Sequence, residues 1–176
     1  MIKFKYYGHA CFLLETDNEK LLFDPFLTGN PVASISADEV ECDYILLTHA
    51  HGDHYGDATQ IAQKTGAKVI STPEVLTKLP SDYVNVHGMN LGGSFTFPFG
   101  IVTMVPALHS AGVEGGIPCG FVIKFNDDTV VYLLVIQLYL AIWLLSAKNN
   151  KLIMLFYQLA VIILWTLKMQ LKLFNY

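Results

Sequence analysis

The chain has 176 residues, a formal net charge of −4, 53% hydrophobic residues and 15% charged residues. All 11 of its basic residues are lysines, and they do not cluster. Because phosphate contacts demand local positive charge, this composition argues against a nucleic-acid-binding protein.

The average composition conceals two unlike parts that meet near Tyr132. Every one of the 13 Gly, 7 Pro, 15 acidic residues and 6 His lies at or before that residue. The first part carries 7 Lys against 15 acidic residues and is therefore net −8, whereas the remainder has four Lys as its only charges. The sequence predicts a domain over residues 1–132 and an apolar tail of different origin over residues 133–176.

Short apolar runs between turn residues predict a sheet-rich first part. The predicted strands, in chain order, are Ile2–Tyr7, Ala10–Glu15, Lys20–Phe23, Tyr44–Leu47, Lys68–Ser71, Gly100–Pro106 and Gly120–Phe125. Helical spacing of apolar residues predicts a helix over Asp57–Thr65, and Pro73 begins a second predicted helix that ends at Leu79. Asn126–Asp128 predicts a hairpin turn into a strand over Thr129–Tyr132. The fold class is therefore mixed α/β.

Three cysteines, Cys11, Cys42 and Cys119, are too few and too widely spaced for a disulfide framework or a zinc ribbon. They are expected to be reduced core residues. The amino-terminal residues 1–5 lead into a short, polar-interrupted strand and do not form the apolar region of a signal peptide. A cytoplasmic location is expected.

The segment His49-Ala-His51-Gly-Asp53-His54 places three imidazoles and a carboxylate within six residues, directly after an apolar strand. Imidazole nitrogen and carboxylate oxygen suit zinc, manganese or iron(II) rather than calcium or magnesium. The alternative is a solvated loop that happens to be rich in histidine. The density of the cluster favours a metal site.

This pattern resembles the signature of the metallo-β-lactamase superfamily. Three further segments, Tyr7–Phe12, Leu21–Pro25 and His109-Ser110, are similar to small bacterial metal-dependent hydrolases related to ascorbate-6-phosphate lactonase. The resemblance covers about residues 1–132. It implies an αββα sandwich, here incomplete, with the first half and part of the second sheet followed by an apolar, helical tail.

The resemblance also implies roles for individual residues. His49, His51 and His109 would hold one metal ion, and Asp53 with His54 would begin a second site. Such an ion lowers the pKa of a bound water to about 7, which predicts hydrolysis of a small lactone, ester or phosphoester. Asp53 could also orient that water and accept its proton.

The remaining candidates carry alternative interpretations. Asp24 is predicted to fix a ligand imidazole, and His9 to contact a ligand or the substrate, although Asp24 could form only an Asx-turn and His9 only a backbone contact. His109 could simply cap a strand. His87 is predicted to be an exposed turn residue.

The tail lacks the two further ligands, an Asp and a late His, that a dinuclear member of this family would contribute. Shifting the codons by one base allows residues 133–143 and 151–167 to spell motifs of the same family, which indicates a frameshift. The competing interpretation is a membrane hairpin, since Thr129–Ala147 and Leu152–Leu167 are uncharged stretches of 19 and 16 residues. The sequence thus predicts a hydrolase with impaired activity, a membrane-tethered metal-binding module, or an inactive frameshift product.

Overall fold

A computed structural model describes residues 2–134, 152–156 and 162–165 of the chain. These residues form two compact units. The first contains the described residues up to Asn90 together with Ser110–Pro118, and the second contains Leu91–His109 and the described residues from Cys119 onward.

The first unit is built on a sheet whose strands are adjacent in chain order. The strands are β1 (Lys3–Gly8), β2 (Cys11–Glu15), β3 (Lys20–Phe23), β4 (Tyr44–Leu46), β5 (Lys68–Ser71) and β6 (Val86–Gly88). Pairing is antiparallel from β1 to β3 and parallel from β3 to β6. Because parallel strands end at the same edge of a sheet, the residues after β3 and β4 come together there, where ligands commonly bind.

The helices of this unit contribute side chains to a hydrophobic core that they share with the sheet. They are α1 (Gly52–Tyr55), α2 (Ala58–Thr65) and α3 (Pro73–Leu76), with a 3₁₀ turn at Ala37–Glu39. Helix α2 ends at Gly66 in a left-handed conformation and buries Ala58, Ile61 and Ala62. These side chains belong to the same apolar cluster as the sheet residues Ile45 and Val69. The helices therefore fix the positions of the loops that follow β3 and β4.

The second unit contains a second sheet. Its strands are β7 (Ser94–Phe97), β8 (Gly100–Pro106), β9 (Cys119–Phe125), β10 (Val130–Leu134), β11 (Leu152–Phe156) and β12 (Ile162–Trp165), and their spatial order is β12-β11-β10-β9-β8-β7. All neighbours pair antiparallel except β10 and β11, which are parallel. In the turn between β9 and β10, Asp128 has a φ of 63° and the Thr129 N–H donates to Asp127. The predicted hairpin is present.

The mixed α/β class and the strands with strong apolar runs agree with the sequence prediction. Among residues 2–134, the elements that were not predicted are the 3₁₀ turn at Ala37–Glu39, α1, β6 and β7. The prediction for His87 was wrong, because this residue lies in β6 and is partly buried rather than exposed in a turn. Both β6 and β7 are short edge strands with mostly exposed side chains. β6 has only three residues, which is too few for a strand pattern, whereas the alternation of Ser and Thr with Phe in β7 was an available signal that the prediction did not use.

The expectation of a helical tail was wrong for the tail segments that the structure describes. Residues 152–156 and 162–165 are strands, and 130–134 form a strand that pairs with 152–156. Short apolar runs do not distinguish a helix from a buried strand, and pairing with an existing sheet edge satisfies their backbone groups. The rest of the tail, 135–151, 157–161 and 166–176, lies outside the described residues. Within the described part of the chain, no helix combines the length and apolarity needed to cross a membrane.

The three cysteines are reduced core residues, as predicted. Cys11, Cys42 and Cys119 are buried and form no disulfide.

Candidate metal centre

Asp24 lies at the centre of a buried hydrogen-bond network in the first unit. It directly follows β3, has a φ of 37°, and its backbone N–H donates to the carbonyl of Leu46 on the neighbouring strand β4. Its carboxylate accepts the Thr48 N–H at 2.8 Å and the Thr48 hydroxyl at 2.6 Å. It is also 2.9 Å from Nδ1 of His54. The interpretation of Asp24 as an Asx-turn residue is therefore replaced by a contact to a candidate ligand imidazole.

The network makes Nδ1 the hydrogen-bond donor in two imidazoles. His54 donates from Nδ1, because a carboxylate oxygen accepts. The Thr48 hydroxyl donates its hydrogen bond to Asp24. Its oxygen therefore accepts a hydrogen bond from Nδ1 of His49, which lies 3.0 Å away. When each ring is neutral, its lone pair is on Nε2, the atom that would coordinate a metal. The His49 and His54 ring centroids are 4.1 Å apart.

The remaining histidine of the motif, His51, is held by the loop Ser110–Pro118. The Ser110 hydroxyl lies 3.3 Å from His51 Nε2, and the Ala50 N–H donates to the carbonyl of Ala111 at 2.7 Å. Gly112 has a φ of 70°, and a Cβ atom there would lie 2.7 Å from the backbone nitrogen of His51. This loop therefore packs directly against the motif, and only glycine permits the approach.

A second group of donors comes from the turn between β1 and β2 and from α1. His9, Asp53 and His54 each offer a ligand atom, and these atoms all lie within 4.8 Å of one another. His9 Nε2 is 3.2 Å from Asp53 Oδ2. The motif thus does not form an open loop, because its last two residues sit on a one-turn helix whose preceding residue is His51.

The electrostatics of this group favour ionised Asp53. Burial raises the pKa of Asp53, but the positive potential of His54, His9 and His49 outweighs burial and lowers the pKa below its ordinary value. Burial also lowers the pKa of His54, and the hydrogen bond and charge of Asp24 overcome it so that the His54 pKa is raised. For His9, burial and the neighbouring His54 lower the pKa despite the opposing effect of Asp53. At neutral pH the carboxylate is available as an anionic ligand.

His109 belongs to the second unit. It ends the segment Leu91–His109 of the second unit, three residues after β8, and it immediately precedes Ser110. Its assignment as a metal ligand stays a prediction.

The donors present fit a transition-metal ion. Imidazole nitrogens whose opposite ring nitrogens are anchored, together with an ionised carboxylate, match the ligands of zinc, manganese or iron(II). Sequence reasoning missed Thr48 and Asp57. A hydroxyl residue between a strand and the first histidine was the available signal for Thr48, whereas Asp57 accepts the backbone N–H groups of Leu27 and Thr28, a tertiary contact that no local pattern reveals.

Comparison with known proteins gives a consistent result. Residues 19–133 match the Beta-lactamase superfamily domain. A UPF0173 metal-dependent hydrolase from Natranaerobius thermophilus is 44% identical over 131 residues, which are 74% of this chain and 59% of the relative. Another from Thermococcus kodakarensis is 44% identical over 138 residues, covering 75% of this chain and 60% of the relative. The chain spans about three fifths of the length of the curated relatives it matches.

Solved structures show the same architecture. Igni18, a metallo hydrolase from Ignicoccus hospitalis, is 32% identical with a TM-score of 0.71, covering 80% of this chain and 63% of that chain. A putative metal-dependent hydrolase from Parabacteroides distasonis is 23% identical with a TM-score of 0.60, covering 75% of this chain and 59% of that chain, and it supports the fold alone.

Proposed function

The chain belongs to the beta-lactamase superfamily, and on that premise we propose that it derives from a metal-dependent hydrolase that acts on a small lactone, ester or phosphoester. The observation that carries the proposal is the contact of Asp24 with Thr48 and His54. This contact orients two imidazoles of the motif through their Nδ1 atoms, as a metal centre requires. The substrate class rests on the resemblance described above.

The proposed ligands follow the motif. His49 and His51 with His109 would hold one ion, and Asp53 and His54 would contribute to a second. Zinc, manganese and iron(II) all suit these donors. When bound, the metal supplies Lewis acidity that makes water a nucleophile at neutral pH.

Asp53 has the charge and exposure for a second role. Its side chain is 52% exposed and its lowered pKa keeps it ionised. An ionised carboxylate at this position can accept a hydrogen bond from the attacking water and so orient it. Asp53 is therefore the proposed catalytic residue. In this proposal the partner is a small molecule, and the protein acts in the cytoplasm.

We also propose that a one-base change of reading frame near codon 133 produced the tail, and that hydrolysis is impaired as a result. The supports are the change of composition near Tyr132 and the end of the family match at residue 133. The described part of the tail consists of strands, which does not favour a helical membrane hairpin.

Hydrolysis assays with two forms of the protein test the proposal. The chain as it stands and a form with the reading frame restored at codon 133 would be assayed with Zn²⁺ or Mn²⁺ against lactones, esters and phosphoesters. We expect turnover by the restored form, little by the present chain, and loss of turnover after His54→Ala but not after the control His87→Ala. Absence of turnover by the restored form with every substrate would refute the hydrolase assignment, and equal turnover by both forms would refute the impairment.

A further inference from the structure

His9 lies in the tight turn between β1 and β2, and its backbone conformation is unusual. Its φ is 54°, in the left-handed region that non-glycine residues seldom adopt. The preceding residue Gly8 has a φ of 104°, and a Cβ atom there would lie 2.8 Å from the carbonyl oxygen of Val32. The segment around Val32 thus presses on the turn and holds it in this form. Such strained positions are found where the surrounding structure fixes a functional side chain.

Several contacts then fix the imidazole of His9. The Tyr6 hydroxyl donates to the His9 carbonyl at 2.9 Å. The Phe26 ring meets the His9 ring edge-on at a centroid distance of 5.6 Å. Phe26 is held in turn, because Asp57 accepts the N–H groups of Leu27 and Thr28 just after it. The ring of His9 is therefore held against α1 before any ligand binds.

The distances within the group match those between ligands of one ion. His9 Nε2 and Asp53 Oδ2 are 3.2 Å apart. Two donors about 2.1 Å from a shared ion are separated by about 3.0 Å in an octahedral site and about 3.4 Å in a tetrahedral one. His54 is anchored through Nδ1, and the ligand atoms of all three residues lie within 4.8 Å of one another. A simple pair of His9 and Asp53 would not require a buried, anchored imidazole as the third member.

We propose that His9 is a direct ligand of the ion held by Asp53 and His54, so that residues 9–54 supply three donors to one metal site. This inference rests on the proposed metal dependence but not on the proposed substrate. Its consequence is specific to this chain. No donor after residue 132 is needed to hold this ion, so metal binding survives whatever the tail does.

Nitrogen NMR of the full chain labelled with ¹⁵N-histidine tests the assignment while Zn²⁺ is added. We expect the Nε2 resonances of both His9 and His54 to move to the range of coordinated imidazole at the same zinc equivalent. His87, which lies in β6, provides the unaffected control ring. A His9 resonance that keeps its zinc-free position while that of His54 moves would overturn the proposal, and so would a failure of the chain to bind zinc.

A matched pair of variants separates a ligand from a residue that only orients Asp53. His9→Gln keeps a hydrogen-bond donor for Asp53 but removes the imidazole. We expect it to weaken zinc binding at this site by roughly 100-fold or more, beyond the roughly 10- to 100-fold effect of residues that merely orient a ligand. The control His87→Ala should bind as the native chain does. Native affinity in His9→Gln, with unchanged circular dichroism, would overturn the proposal even if the restored form proves to be a hydrolase.

Discussion

A single carboxylate, Asp24, determines what the two buried imidazoles of the motif can do. It accepts three hydrogen bonds at once, from the backbone and hydroxyl of Thr48 and from Nδ1 of His54. Asp24 was predicted to fix a ligand imidazole, and the structure shows its contact with the imidazole of His54. The role of His54 as a metal ligand stays a prediction. Thr48 was missed although a hydroxyl residue directly precedes the first histidine, because its contact with Asp24 depends on the pairing of β3 with β4.

Replacing Asp24 by Asn should disrupt both the site and the fold. The amide NH₂ group of asparagine would face hydrogen-bond donors of Thr48 or His54 and leave buried polar groups unsatisfied. We expect this to lower the free energy of unfolding by about 1–3 kcal/mol. Zinc affinity should fall roughly 10- to 100-fold, because the His54 imidazole loses its orienting partner. Urea unfolding and competition with a chromophoric chelator measure the two effects, and Asp82→Asn at an exposed position is the control. Native zinc affinity in Asp24→Asn would contradict the role assigned to the network.

Thr48→Val should weaken zinc binding chiefly through His49. Valine has nearly the same shape but lacks the hydroxyl that links His49 Nδ1 to Asp24. We expect a loss of affinity of roughly 10-fold, and recovery in Thr48→Ser, which keeps the hydroxyl. Isothermal titration with Zn²⁺ makes the comparison. Equal affinities for the Val and Ser variants would show that the hydroxyl does not act.

The buried thiols should be unreactive in the folded protein. Burial raises the pKa of Cys42 to about 12 and raises that of Cys11 as well. Because the thiolate is the nucleophile, alkylation at mildly alkaline pH should be far slower than in denaturant, and it should accelerate only as the pH approaches the raised pKa values. Mass spectrometry after timed iodoacetamide treatment gives the rates. Rapid labelling of Cys42 in the native chain would contradict its burial.

At the scale of elements, the sequence predicted buried strands more accurately than exposed ones. Strands such as β3 and β5, with continuous buried apolar residues, were predicted to the residue. Helix α1 was missed because its four residues make a single turn, which is too short to show a helical apolar periodicity. The packing of the loop Ser110–Pro118 against the motif depends on tertiary contacts of its glycines, which the sequence does not show.

Two glycines of that loop allow a matched test. Gly112 and Gly115 both have a φ of 70°, yet a Cβ atom at Gly112 would lie 2.6 Å from His51 Cδ2, whereas the nearest atom at Gly115 is Glu74 Cγ at 4.0 Å. Both alanine variants carry the same left-handed strain. Gly112→Ala should lower the free energy of unfolding by about 1–3 kcal/mol more than Gly115→Ala does. Of the two variants, only Gly112→Ala should weaken zinc binding. Thermal unfolding and zinc titration provide the comparison; identical losses would show that the loop does not press on the motif.

At the scale of the whole molecule, the chain joins a family domain to a tail of different composition. The apolar runs predicted the mixed α/β class and the resemblance predicted the family, because the metal motif and its flanking strands lie within residues 1–132. The tail was less predictable. Its apolar runs are compatible with helices or strands, and the strands over 152–156 and 162–165 depend on pairing that starts from β10.

Metal content is the most direct measure of the central claim that the first part of the chain forms a metal centre organised by Asp24. The full chain and a His49→Ala/His54→Ala double variant would be equilibrated with Zn²⁺, dialysed against metal-free buffer, and analysed by inductively coupled plasma mass spectrometry. The native chain should retain about one zinc ion or more per molecule and the double variant far less, because anchored imidazoles supply the donors. Equally low zinc in both proteins would contradict the account.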